Sequence, residues 1–133
     1  MAIIEVGMSL DDAKKSVEPI PAAKYRATLV DWMKDKAGNV KQKTKDGKKF
    51  MFRPIFKVVH EDPSVGSRQL IYNAVVGSFS YGELALALPQ VFVGSGIDTE
   101  AGKGSDVWLD VSIDTYEGRG RNQIDHITHI AAN

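Results

Sequence analysis

The sequence predicts a mostly β fold with five strands and one helix between the third and fourth strands. Three observations lead to this expectation. Apolar and polar residues alternate with a period of two along several segments, clusters of glycine and proline separate those segments, and one segment has apolar residues at helical spacing instead. At 133 residues the chain is long enough for one domain with a single hydrophobic core.

The five strands are expected where apolar side chains alternate with polar ones. The fourth strand is the clearest, because Val107, Leu109, Val111 and Ile113 fall on one face and the intervening residues on the other. Pro54 interrupts the second strand and predicts an edge or a bulge there, since proline cannot donate to a strand ladder. The predicted strands cover residues 23–33, 50–60, 68–76, 106–114 and 122–130.

The single helix is expected directly after the third strand. Ser80 and Glu83 have the spacing of a capping box, which predicts that the helix begins at Ser80. Pro89 predicts its end, because proline cannot continue a helix. The apolar positions at helical spacing are Tyr81, Leu84, Ala85 and Leu88.

The chain divides into an N-terminal arm, residues 1–22, and a folded domain, residues 23–133. Ser9 is a suitable cap for a short helix in the arm, and Pro19 and Pro21 stop it. The first residues lack the basic region of a signal peptide, and no apolar stretch is long enough to cross a bilayer. We therefore expect a cytoplasmic protein that does not enter a membrane.

A net charge of zero hides a strongly basic region. Residues 34–49, which we call the lysine segment, contain seven lysines and two aspartates, a local charge of +5. Such a concentration of positive charge beside strands is typical of a surface that binds a polyanion. A solvated hairpin loop is the alternative interpretation, and this segment alone does not decide between the two.

Five strands with a helix between the third and fourth is the order of an OB-fold. This fold is a small, partly open barrel that binds ligands over strands two and three and through the loops after strands one and four. The lysine segment falls in the first of these loops, and Arg119 and Arg121 fall in the second. The agreement between charge and topology predicts a five-stranded OB-fold-like barrel with a groove for nucleic acid.

Such a groove needs cations along the nucleic-acid backbone and aromatic rings on which bases stack. The predicted stacking residues are Trp32, which should share a face with Arg26, and Tyr72, with Phe50 as a weaker candidate. Trp108 has acidic neighbours and is expected to pack under the helix, the arm or a second subunit. The predicted backbone contacts are Lys34, Lys36, Lys41, Lys43, Lys45, Lys48, Lys49, Arg53, Arg119 and Arg121.

No catalytic, metal or cofactor site is predicted. The chain has no cysteine, which excludes thiolate ligands and a cysteine nucleophile. His126 and His129 should point to opposite faces of a strand, without a third ligand nearby. Residues 102–105 resemble a phosphate-binding loop only superficially, because Ile97 replaces the first glycine and a strand follows. We therefore expect a protein that is not an enzyme.

The chain resembles small bacteriophage single-stranded DNA-binding proteins of the OB-fold type. The resemblance is carried by residues 21–27, by the lysine segment running into residues 52–59, by the capped helix, and by residues 106–114 with 118–124. It implies sequence-tolerant binding of single-stranded DNA in phage replication or recombination, inside the host cytoplasm. A homodimer and contacts with replication or recombination proteins stay open.

Two other classes of function also stay open. In a phage structural, assembly or protein-interaction module without nucleic-acid binding, the lysine segment would be a solvated hairpin and Trp108 an interface anchor. An OB-like module for a small molecule or a saccharide is the third class.

Overall fold

The computed structural model describes residues 2–7, 9–15 and 18–130 and confirms a mostly β protein. Within that part of the chain the helices are α1 (Leu10–Lys15), α2 (Phe79–Ala87) and a short 3-10 helix (Pro89–Val91). The strands are β1 (Ala23–Trp32), β2 (Gln42–Lys43), β3 (Phe50–Phe52), β4 (Pro54–Val59), β5 (Gln69–Ile71), β6 (Ala74–Val75), β7 (Phe92–Val93), β8 (Gly96–Ile97), β9 (Asp106–Tyr116) and β10 (Arg119–His129).

The main sheet has five antiparallel strands in the order β10-β9-β1-β4-β5. These correspond to the five predicted strands, and α2 lies between the third and the fourth as expected. The two edge strands, β5 and β10, approach each other to within 8 Å between Cα atoms. Among the described residues no ladder joins these edges, so the predicted OB-fold-like barrel is not confirmed.

The second and third predicted strands each divide in two. Pro54 begins β4, so the interruption predicted at this proline is confirmed, and β3 before it pairs with β2 and β6 in a separate three-stranded sheet. The third strand divides at Tyr72 and Asn73. The Arg53 Nε–H donates to the Asn73 side-chain oxygen at 2.9 Å, which joins the two division points. The chain thus turns from the main sheet into the small sheet at one place.

The core lies between the inner face of the main sheet and α2. Leu29, Phe56 and Leu109 are fully buried on adjacent strands, and Leu84 of α2 packs into the same cluster. Ile20 also belongs to this core, and the Asn122 side chain bonds its backbone N–H and C=O at 2.8 Å each. The folded part therefore begins inside the segment that was predicted as an arm.

The capping box predicted at Ser80 and Glu83 does not form. The helix begins two residues earlier than a Ser80 cap implies, and Ser78 occupies the N-cap position. The Ser80 hydroxyl accepts instead from the Val75 N–H at 3.0 Å, because a tight turn that contains Gly77 (φ +84°) brings these residues together. The Glu83 carboxylate is thereby free to bond residues outside the helix.

Ile113 was predicted to point into the core, but nearly half of its surface is exposed. The reason lies in the length of β9. Ala23, the first residue of β1, pairs with Val111, so Ile113 lies beyond the end of β1 and is paired only with Asn122 of β10. The alternation of apolar and polar residues along β9 therefore continues beyond the part of the strand that packs against the core.

Candidate nucleic-acid interface

The lysine segment is built from two turns and a strand. Its two aspartates form the turns, and each accepts hydrogen bonds from backbone N–H groups. The Asp35 carboxylate accepts from Ala37 and Asn39 at 3.0 and 2.8 Å, and that of Asp46 accepts from the Lys48 N–H at 3.0 Å. Both acidic groups in the segment therefore stabilise its backbone, as short polar side chains commonly do in turns.

One buried side chain and a backbone hydrogen bond fix the base of the segment to the fold. Gln42 is buried, and its side-chain N–H donates to the Met33 carbonyl at 2.7 Å. The Met33 N–H in turn donates to the Arg53 carbonyl at 2.8 Å. The lysines are consequently presented by an anchored hairpin.

The lysines carry most of the available positive charge of this surface. All seven are exposed, and within the described residues none of them forms an ion pair. The pKa of the Asp46 carboxyl is lowered, first by the hydrogen bond from the Thr44 hydroxyl and then by that from the Lys48 N–H. Asp46 therefore stays ionised well below neutral pH, and the local balance remains strongly positive.

An exposed aromatic ring lies among these lysines. Phe50 is 40% exposed and is paired directly with Lys43 across the β2–β3 ladder. The Lys41 Nζ lies 4.2 Å from the centre of the Phe50 ring, in cation–π geometry. Phe50, the weaker of the three stacking candidates, is thus the one whose ring is accessible from the basic surface.

Trp32 lies on the core side, contrary to the prediction. It is only 2% exposed, and its indole N–H donates to the Thr99 carbonyl at 2.9 Å. A register shift between Leu29 and Asp31 adds one residue to β1 and reverses the alternation after it. Trp32 therefore lies against Phe52 in the interior, and its ring has no open face for a base.

Tyr72, the other predicted stacking residue, is also buried. Its hydroxyl donates to a Glu83 carboxylate oxygen at 2.9 Å, and the Ser80 carbonyl lies at 3.3 Å. Burial, and then the hydrogen bond and charge of Glu83, raise the pKa of Tyr72 well above its ordinary value. Tyr72 joins the third strand to α2, and its ring is not available at the surface.

Arg119 and Arg121, which were predicted to lie in a turn, begin β10 and lie far from the lysine segment. β9 runs antiparallel to β1, passes Ala23 and continues to the turn before β10, and Arg119 and Arg121 are among the first residues of β10. The lysine segment follows the opposite end of β1, whose ten residues span roughly 30 Å at about 3.3 Å per residue. Arg119 is exposed, and Arg121 lies 3.8 Å from the Asp114 carboxylate. The structure therefore does not bring the two basic regions together.

Trp108 lies on the outer face of the main sheet, away from α2. It is 37% exposed, and the Lys24 Nζ lies 5.7 Å from its ring centre. Arg26, its cross-strand neighbour, donates to the Asp106 carboxylate at 2.6 Å. Bonds from Thr28 and Arg26 lower the pKa of Asp106. Arg26 on this face is thus paired with an acid, whereas the lysines of the lysine segment form no ion pair among the described residues.

Sequence reasoning missed Phe79, which is 75% exposed. Its ring centre lies 6.4 Å from that of His126, with the two rings perpendicular. Phe79 precedes the predicted helix and is not part of its apolar stripe. An aromatic residue at such a position has no place in the core, and this was the signal that the sequence offered.

The described residues contain no helix that is long and apolar enough to cross a membrane. In the same residues, no three histidine, aspartate or glutamate side chains are grouped so that they could hold a metal ion. The sequence matches no protein-family model and no curated protein.

Proposed function

We propose that this protein binds single-stranded DNA without sequence preference, in phage replication or recombination, and that the lysine segment and Phe50 form the binding surface. The observation that supports this most is the anchored hairpin around an accessible ring, with seven exposed lysines that make no ion pair in the part of the chain that the structure describes. Cations contact the phosphates of a single strand, and an aromatic ring accepts any base, since every base has a flat face. A base on Phe50 would take the place of the Lys41 ammonium, which would then be free for a phosphate.

We further propose that the main sheet is an OB-fold-like barrel opened between its third and fifth strands. In the order β10-β9-β1-β4-β5 the two edges are the fifth and the third strand, and these must meet for a barrel to close. Their approach to within 8 Å supports this interpretation. The lysine segment then occupies the loop after the first strand, one of the loops with which this fold binds nucleic acid.

The first test is a fluorescence-anisotropy titration of a labelled ~30-nucleotide oligo-dT, with a duplex of equal length alongside. We expect tight binding to the single strand, much weaker binding to the duplex, and a steep loss of affinity as the salt concentration rises. An absence of binding to both at low salt would refute the proposal.

The second test assigns the binding to the lysine segment. Lys45→Glu with Lys48→Glu should weaken oligo-dT binding at least about tenfold and reduce the salt slope by about 1.4, because each phosphate contact contributes about 0.7 for a single strand. Lys14→Glu with Lys24→Glu changes the net charge equally but lies outside the segment, so it should have a much smaller effect. Equal losses in the two variants would show that net charge, not this surface, governs binding.

A protein-interaction module is the second candidate function. Trp108 and Val59 are both partly exposed on the outer face of the main sheet, where Arg26 separates them on the strand between. Large apolar side chains at this position are suited to a contact with another protein. Under this alternative the protein would not bind oligo-dT, and Trp108→Ala would disrupt an assembly detectable by light scattering.

A further inference from the structure

Phe79 is exposed in a way that its role in the fold does not explain. It is the first residue of α2, whose buried residues are Leu84 and Ala87, and three-quarters of its surface faces solvent. Burial of so large an apolar side chain normally stabilises the fold. An aromatic ring that stays exposed is therefore a recurrent feature of surfaces that bind ligands.

The backbone places Phe79 next to the proposed binding surface. The Phe50 carbonyl accepts from the Val76 N–H at 2.8 Å, only three residues before Phe79. Between them a tight turn, with Gly77 at φ +84° and a bond from the Ser78 N–H to the Val75 carbonyl at 3.0 Å, reverses the chain. Phe50 and Phe79 thus flank one short, ordered connection.

A lysine connects the two segments that carry these rings. Lys49 Nζ is 3.4 Å from the hydroxyl oxygen of Ser78, the residue directly before Phe79. Lys49 also follows the turn of the lysine segment and precedes Phe50 in the chain. Aromatic, cation, aromatic is the order in which a single strand presents base, phosphate, base.

The surface beyond Phe79 has the opposite charge. His126 lies beside Phe79, with ring centres 6.4 Å apart, and its Nδ1 is 2.9 Å from the Glu83 carboxylate. After Glu83, the charges of Asp110 and Asp125 also raise the pKa of this imidazole, so the electrostatic environment here is negative. Phosphates would be repelled there, and a bound strand should therefore end at Phe79.

We propose that Phe79 is a second base-stacking subsite, reached from Phe50 past Lys49, and that it forms the end of the path of the single strand. This inference rests on the proposed function, because it extends the same surface by one base-binding position.

The test compares Phe79→Ala with Leu86→Ala, a second exposed apolar residue seven positions further along α2. With oligo-dT of ~15 nucleotides we expect Phe79→Ala to lose about 5- to 100-fold in affinity, the usual effect of removing one stacking ring. Phe79→Tyr should retain affinity, and Leu86→Ala should bind like the wild type. With ~5 nucleotides the loss should be smaller, because a strand that short can remain on the lysine segment.

Photo-crosslinking of iodouracil-substituted oligo-dT gives an independent measurement. Trypsin releases residues 69–103 as one peptide, which contains Phe79, and residues 50–57 as another, which contains Phe50. We expect crosslinks in both peptides, with loss of the crosslink in residues 69–103 for Phe79→Ala alone.

The outcomes separate the two proposals. If the wild type binds oligo-dT but Phe79→Ala binds equally well and residues 69–103 carry no crosslink, the second subsite is wrong and the proposed function stands. Equal losses in Phe79→Ala and Leu86→Ala would also overturn the subsite, because they would show that the loss is not specific to the Phe79 ring. If the wild type does not bind oligo-dT, both proposals fail.

Discussion

Replacing Glu83 by alanine should be the most damaging single change of a polar residue outside the lysine segment. The Glu83 side chain is 10% exposed and connects three parts of the fold. One carboxylate oxygen accepts from the Tyr72 hydroxyl at 2.9 Å and from the Ile127 N–H at 3.0 Å, and the other lies 2.9 Å from Nδ1 of His126. The carboxylate thus joins α2 to the third strand and to β10.

The magnitude follows from the donors that Glu83→Ala leaves without an acceptor. A buried donor without a partner costs about 1–3 kcal/mol. The Ile127 N–H loses its bond outright, whereas the Tyr72 hydroxyl can still turn to the Ser80 carbonyl at 3.3 Å. We therefore expect the free energy of unfolding to fall by about 2–4 kcal/mol. Glu83→Gln should lose less, because its amide oxygen can still accept a hydrogen bond.

The same contact makes stability depend on pH. The hydrogen bond to Glu83, and then its charge, raise the pKa of His126 in the folded protein. A raised pKa means that the folded state binds this proton more tightly, so the contribution is fully present below the unfolded pKa of about 6.5 and is lost as the pH rises through the folded pKa. Glu83→Gln and His126→Gln should both reduce this pH dependence.

Urea unfolding at pH 5.5, 7 and 8.5 measures both effects. Glu83→Ala should lower the urea midpoint by about 1–2 M, given a slope near 2 kcal/mol/M. Glu61→Ala is the control, because Glu61 is exposed in a turn and its removal should change stability by less than about 0.5 kcal/mol. A midpoint for Glu83→Ala within error of the control would refute the reasoning, as would an unchanged pH dependence in His126→Gln.

Two further predictions concern buried positions. Trp32 is buried and Trp108 is partly exposed, so acrylamide should quench the two tryptophans differently. We expect strong quenching in Trp32→Phe, where only Trp108 fluoresces, and weak quenching in Trp108→Phe, where only Trp32 does. Similar quenching in the two variants would contradict the placement of Trp32. Gly102→Ala should destabilise the fold by about 1–3 kcal/mol, since its new methyl group would meet the Val91 and Leu29 side chains. Gly82→Ala, in an open part of α2, should instead stabilise it by about 0.5–1 kcal/mol, and thermal unfolding of the two variants tests the contrast.

The fold class could be predicted because a sheet with one buried face requires apolar residues at every second position of its strands. Val107, Leu109 and Val111 show this directly, since all three are buried as expected. Division of the second strand could be anticipated from Pro54, whose chemistry forbids a ladder bond. Division of the third strand could not, because a single asparagine, although uncommon in strands, does not by itself show that the strand divides at Asn73. It depends on the bond between Asn73 and Arg53, twenty residues away in the chain.

The exposure of the lysines in the lysine segment was predicted correctly, whereas that of Trp32 and Tyr72 was predicted incorrectly, and the two outcomes have different causes. Lysines of a turn-rich segment are exposed wherever the segment lies, so their exposure needs no knowledge of the sheet. The face of a strand residue, by contrast, depends on every residue before it in the ladder. A single extra residue between Leu29 and Asp31 moves Trp32 from the outer to the inner face, and a bulge of this kind has no necessary mark in the sequence. Stacking residues on strands are therefore the part of such a site that most needs the structure. Phe79 is not subject to this error. It is the first residue of α2 and lies outside any ladder, so a shift in strand register does not change which side it faces.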